Sequence, residues 1–185
     1  MTFSDSLDAL RGLGWTVELT DADAPLLPDE VSTRYPSLPS RLVEFLGRLD
    51  VCVSADQTAW VLTRRDYSGD PELTFRWNEF ELMALGGDWA DPDDPKAPDA
   101  TREFWNGHFP FMMAVHSDYD YLAVCLDDNS VVHGSVPFWE EPERVAASFD
   151  ELLLAIAKVP SKGAQFPISL FLGADYLRRH RDDAG

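Results

Sequence analysis

Apolar positions recur with helical spacing in two strong places. In SRLVEFLGRLD, Leu42, Phe45, Leu46 and Leu49 fall at i, i+3, i+4 and i+7, which predicts a helix entered through Pro39 with one apolar stripe. In SFDELLLAIAK, Phe149, Leu152, Leu153 and Ile156 form a second stripe. Ser148 and Glu151 open that helix as a capping box, and Pro160 predicts its end by Val159. Weaker helical signals lie at Asp5 to Arg11, just after DADAPLLPDE, in TREFWNGHF with Thr101 as cap, and in ADYLRRHR. Arg178, Arg179 and Arg181 there complement the negative end of a helix.

Strand signals fill the rest. WTVEL alternates, TAWVLTRRDY reads as a strand and its exit, and LTFRWNEFELMAL is open between helix and strand. GGDWADPDDPKAPDA is the clearest loop. The stretch FPFMMAVHSDYDYLAVCLDDNSVVHG holds two histidines and four aspartates among apolar residues. Alternation sends Tyr119, Tyr121, Ala123 and Cys125 to one face and Asp120, Leu122, Val124 and Leu126 to the other. A turn at DDNS that pairs Leu126 with Val131 sets Val124 opposite His133. His133 then shares the face of Asp120 at a distance, and His116 falls beside Tyr119 on the opposite face. In that register the two histidines do not converge. The element order predicts an α+β fold, a mainly antiparallel sheet with helices packed on one side. Residues 1–160 are expected to form one domain, with 161–185 as a C-terminal extension, a packed helix and not a separate domain.

Composition narrows the function. The chain has 185 residues, enough for one domain with a substantial core. Its 33 acidic residues against 15 Lys and Arg give a formal net charge of -18. A protein that grips phosphate backbones needs clustered cations, so nucleic acid is excluded as the main partner. The acidity fits a cationic partner, and it also serves solubility alone. No basic leader precedes an apolar segment, and LLLAIA is far short of the ~20 residues of a membrane span, so the expected compartment is the cytoplasm. Cys52 and Cys125 lack Cys-x-x-Cys spacing and read as free thiols in a reducing compartment, with a single disulfide the alternative.

Catalytic and metal motifs are absent from the sequence. There is no nucleophile elbow, no phosphate loop, and no His-Glu-x-x-His or EF-hand pattern. A zinc site needs three or four convergent ligands, and the ribbon offers one His and one Asp per face. No enzyme activity, metal or cofactor is therefore expected. A hydrolase using the aspartates near His116 is the weakest reading.

Leu38, Pro39, Phe45 and Leu46, then Phe109 and Pro110, then Val145, Ala146, Ser148 and Phe149 carry a resemblance. Their order and spacing, with Trp77 to Glu81 as a Trp-Asn-Glu-Phe-Glu run, resemble the SUKH superfamily of the Smi/Knr cell-wall-regulator type over residues 30–158. HSDYDY stands where many relatives carry a Gly-Gly-Asp turn, so no role of those glycines transfers. The resemblance implies a non-enzymatic α+β protein that binds another protein. In bacteria that is an immunity protein neutralising a cognate toxin, often a nuclease. The alternative is a regulatory or scaffolding protein without a toxin partner. The expected partner is a basic toxin domain, with no nucleic acid or membrane bound.

Candidate contact residues combine aromatic anchors with neighbouring acids. They are Trp77 with Glu79; Asp88, Trp89, Asp91, Asp93 and Asp94 in the long loop; Tyr119, Asp120 and Tyr121; and Trp139, Glu140 and Glu141. Trp77, Tyr121 and Trp139 are also open to a core role. Trp89 is the one most expected at the surface.

Overall fold

The apolar stripes seen in the sequence become the faces that close a seven-stranded sheet. A computed structural model of the chain describes residues 3–20, 27–70, 75–86, 97–116 and 118–180. Its first half runs α1 (Phe3–Gly12), β1 (Thr16–Leu19), α2 (Asp29–Arg34), α3 (Ser40–Gly47), β2 (Leu49–Val53), β3 (Ala59–Val61), α4 (Arg64–Tyr67) and α5 (Glu79–Gly86). Its second half runs α6 (Ala97–Gly107), β4 (His108–Val115), β5 (Tyr119–Cys125), β6 (Val131–Ser135), β7 (Glu143–Ala146) and α7 (Phe149–Lys162). A 3₁₀ turn (Ile168–Leu172) and α8 (Ala174–His180) follow. The strands lie in chain order β1 to β7, each antiparallel to the next. This is the α+β class with an antiparallel sheet that the sequence predicts. Among the described residues no helix is long and apolar enough to cross a membrane.

Helices cover both faces of the sheet, not one. Met112 is paired with Leu122 and Met113 with Tyr121, so the two pairs point to opposite faces. On the first face Phe111 meets Phe149 of α7, Phe149 meets Phe45 of α3, and Phe45 meets Phe3 of α1, with ring centroids 5.4–5.7 Å apart. Ser6 of α1 donates a hydrogen bond to Leu153 O of α7 at 3.0 Å, locking the two helices together. On the second face Tyr121 packs against Phe80 of α5 and Trp105 of α6, and Phe80 stacks on Trp139. The continuous apolar run FPFMMAV is the sequence mark of this two-sided burial, because a half-exposed strand alternates.

Element ends differ from the sequence reading where side chains took other partners. α6 begins at Ala97, so Thr101 lies inside it and donates from Oγ1 to Glu140 instead of capping. α7 continues through Pro160 to Lys162. It ends at Gly163, whose positive φ of 72° lets its N–H reach Val159 O at 2.8 Å. At the other end Ser148 Oγ accepts from Glu151 N–H, while the Glu151 carboxylate accepts from Ala147 N–H. Of the stretch LTFRWNEFELMAL, the part from Glu79 on forms the helix α5. It is tied to α2 by a two-bond ion pair: Arg34 donates to both oxygens of Glu81 at 2.7 and 2.9 Å. Leu49 joins the core from the first position of β2, not from α3.

The segment after α7 folds back onto the first face. Phe171, Leu172 and Tyr176 are buried there. Trp15 Nε1 donates to Leu172 O, Ala174 N–H to Thr58 Oγ1, and Asp175 N–H to Asp56.

Candidate functional site

The β5–β6 hairpin brings together a histidine and an aspartate that the sequence reading held apart. Its turn spans Leu126–Asn129. Asn129 sits at φ 60°, Asp128 accepts from Ser130 N–H, and Cys125 N–H closes the turn on Ser130 O. Val124 therefore pairs with Val131 and Leu122 with His133, two residues away from the predicted register. A two-residue shift keeps every side chain on its face but slides His133 along to Asp120. His133 Nε2 lies 2.8 Å from Asp120 Oδ1, and both side chains are buried. A carboxylate accepts, so the imidazole proton sits on Nε2.

His116 converges on the same place, contrary to the expectation. β4 stops at Val115, so His116 escapes strand alternation and is turned by its N–H bond to Asp118 O. Its Nε2 donates to Leu170 O at 2.7 Å. Nδ1 is buried and has no partner among the described residues.

A cleft of about 590 Å³ opens over these groups, with Asp118, Ser135, Leu170, Leu177 and Arg178 also at its walls. An adjoining hollow of about 320 Å³ shares His133, Ser135 and Phe166 and adds Phe138, Glu141 and Glu143. The segment 166–178 forms one wall of the cleft, so the site needs both the hairpin and the C-terminal extension. Phe138 and Phe166 are 65% and 67% exposed, the two most exposed large apolar side chains among the described residues. The Phe166 ring stands edge-on to His133, with centroids 5.8 Å apart. Arg178, the cation at the wall, is ion-paired with Asp175.

The residues proposed from the sequence scatter. Tyr121 and Trp139 are core aromatics at 0% and 1% exposure, joined by a hydrogen bond from the Tyr121 hydroxyl to Trp139 O. They offer no surface to a partner. Burial pushes the Tyr121 phenol well above its ordinary pKa. Tyr119 is half-buried against Phe75 and Phe80 on the second face, so it does not join Asp120. Trp77 is half-buried against Tyr35, with the Arg34 guanidinium over its ring. Glu79 is half-buried beside it and accepts from Arg76 N–H. Glu140 is exposed and held by Thr101. Asp88, Trp89, Asp91, Asp93 and Asp94 lie outside the described residues. Of the proposed residues that are described, Asp120 lines the cleft and Glu141 its hollow.

His133, His116, Ser135, Phe138, Phe166 and Glu143 are the residues that sequence reasoning passed over as contacts. SVPFWEE and AQFPISL share one mark, a phenylalanine beside a proline, which holds it outside a regular helix or strand.

Acyl transfer needs a nucleophile hydrogen-bonded to its base. Among the described residues Ser135 makes no hydrogen bond to His133. Among the same residues no group of three or more His, Cys, Asp or Glu could hold a metal ion. Fold and site together define an α+β, antiparallel-sheet protein with an acid-lined, aromatic-rimmed cleft. Comparisons with protein-family models, with curated proteins and with solved structures found no match to this chain.

Proposed function

We propose that this protein works by binding another protein, as a SUKH-like immunity protein that occupies a basic toxin domain. One observation carries the reading: the most exposed phenylalanines, Phe138 and Phe166, flank a cleft bearing Asp118, Asp120, Glu141 and Glu143, on a chain of net charge -18. Exposed aromatic anchors ringed by charge are the composition of an interface hot spot. The acidic field steers a basic partner onto the surface, and the phenylalanines then hold it. A toxin that binds phosphate backbones presents such a basic face.

Co-expression with the toxin encoded beside it tests this. The expected outcome is rescue of growth and a complex whose affinity falls as salt rises. The absence of both rescue and a complex with any neighbouring effector would overturn the immunity reading. Recovery from native cells of endogenous partners, held equally at low and high salt, would favour a regulatory or scaffolding role instead.

A further inference from the structure

We infer that the cleft over His133 is an arginine pocket, which receives one guanidinium side chain from the basic partner; this rests on the partner-binding reading above. The polar groups at the cleft walls are mainly acceptors, with the Arg178 guanidinium and the Ser135 hydroxyl as the donors beside them. Asp120 gives Oδ1 to His133, and its other oxygen has no hydrogen bond to a described residue. The backbone carbonyl of Leu170 fixes the His116 proton on Nε2, so Nδ1 carries a lone pair, buried and unpartnered among the described residues. Asp118 and the Ser135 hydroxyl stand at the same walls.

A ligand matched to such a set is all donor and positively charged. A guanidinium has five N–H donors and no acceptor. A divalent metal is disfavoured, because no three ligands among the described residues converge. An anion is disfavoured too, because it would meet the Asp118 and Asp120 carboxylates at the walls.

Apolar geometry points the same way. Phe166 projects at 67% exposure, with Leu170 and Leu177 at the walls. Arginine stacks on aromatic faces and lays its stem along apolar surface, where an ammonium keeps its water. The neighbouring hollow, with Phe138, Glu141 and Glu143, takes the residue beside that arginine in the partner chain.

The test uses a fluorescein-labelled Gly-Arg-Gly-Arg-Gly peptide, with its lysine and citrulline counterparts, on the full chain. Three variants join the wild type: Phe166→Ala, Ser135→Arg and Asp127→Asn. Circular dichroism and thermal melting confirm that each is folded. Asp127 is exposed, in the turn at the far end of the hairpin, so it controls for bulk charge. The arginine peptide is expected to bind about tenfold tighter than the citrulline one, and to lose about that much in Phe166→Ala and Ser135→Arg. Asp127→Asn should bind as wild type does. Loss in Asp127→Asn equal to that in Phe166→Ala would mean general charge attraction and overturn the pocket. Lysine binding as strongly as arginine would overturn the guanidinium assignment. A toxin complex that forms normally with both cleft variants would overturn the pocket and leave the immunity reading standing.

Discussion

The Asp56 carboxylate accepts a hydrogen bond of 2.6 Å from the backbone N–H of Asp175, 119 positions further along the chain. It thereby caps the start of α8 from the β2–β3 turn, and Ala174 N–H is taken by Thr58 Oγ1 beside it. Desolvation, the largest single influence, raises the Asp56 pKa. The hydrogen bonds from Thr58, Ser54 and the Asp175 N–H together outweigh it and bring the pKa down to about 2.

That depression sets a pH dependence. A carboxylate with a lowered folded pKa contributes stability that is complete above the ordinary aspartate value of about 3.9 and is lost as pH falls toward the folded pKa. Asp56→Asn is expected to destabilise by about 1 kcal/mol at pH 6, a modest figure because the carboxylate keeps solvent contact. The difference from wild type should close as pH falls from about 4 to about 2. Urea unfolding at a series of pH values measures it, and a difference independent of pH over that range would contradict it.

Arg34 and Glu81 give the largest expected loss from removal of one charge. Glu81 is buried, and its partner binds both of its oxygens while stacking over Tyr35 and Trp77. Arg34→Ala leaves that carboxylate unpaired and should cost about 3 kcal/mol. The double variant Arg34→Met/Glu81→Leu should recover most of it, because well-packed apolar residues replace the pair. Chemical denaturation of the wild type, Arg34→Met, Glu81→Leu and the double variant reads the coupling directly.

Gly134 lies directly under the Tyr121 ring, so an added Cβ would overlap the phenol. Gly134→Ala must displace Tyr121 from Trp139 O or bend β6, and is expected to destabilise by about 2–3 kcal/mol. A thermal melt and loss of the near-ultraviolet signal of the Tyr121–Trp105–Trp139 cluster would report it. An unchanged melting temperature would show that the strand yields freely.

The two thiols should separate by reactivity. Both are free; Cys52 is buried, and desolvation pushes its pKa up to about 12, whereas Cys125 is half-buried at the end of β5. The thiolate is the reactive form. Native alkylation at pH 8 should therefore label Cys125 first, and Cys52 only on unfolding, as peptide mass mapping would show. Labelling of both at one rate would contradict this burial.

Helices with strong stripes were legible because their periodicity depends on local order alone. Leu42, Phe45 and Leu46 bury one face of α3, and Phe149, Leu152, Leu153 and Ile156 one face of α7, as the spacing predicts. The hairpin register was not legible. DDNS fits several turn lengths, and the choice of Asn129 for the left-handed position moved His133 by two residues. His116 depends on a partner still further away, the Leu170 carbonyl, which no local pattern announces. Tyr121 and Trp139 show the reverse error: acidic neighbours made them look like contacts, yet Glu140 points out and reaches Thr101 while Trp139 packs inward on Phe80.

Because the strands lie in chain order, every pairing in the sheet joins consecutive strands, and even the widest, Thr16 with Val53 and Ala59 with Ala114, span 37 and 55 positions. The first-face cover obeys a different clock. Ser6 waits for Leu153 and Trp15 for Leu172, separations of 147 and 157 residues. A chain synthesised from its N-terminus thus completes the meander while the apolar side of Phe45, Phe111 and Met112 still faces water. During that interval the half-covered sheet is the aggregation-prone species. α7 and the segment after it then close the first face, and the cleft gains the wall formed by residues 166–178 only once that segment has docked.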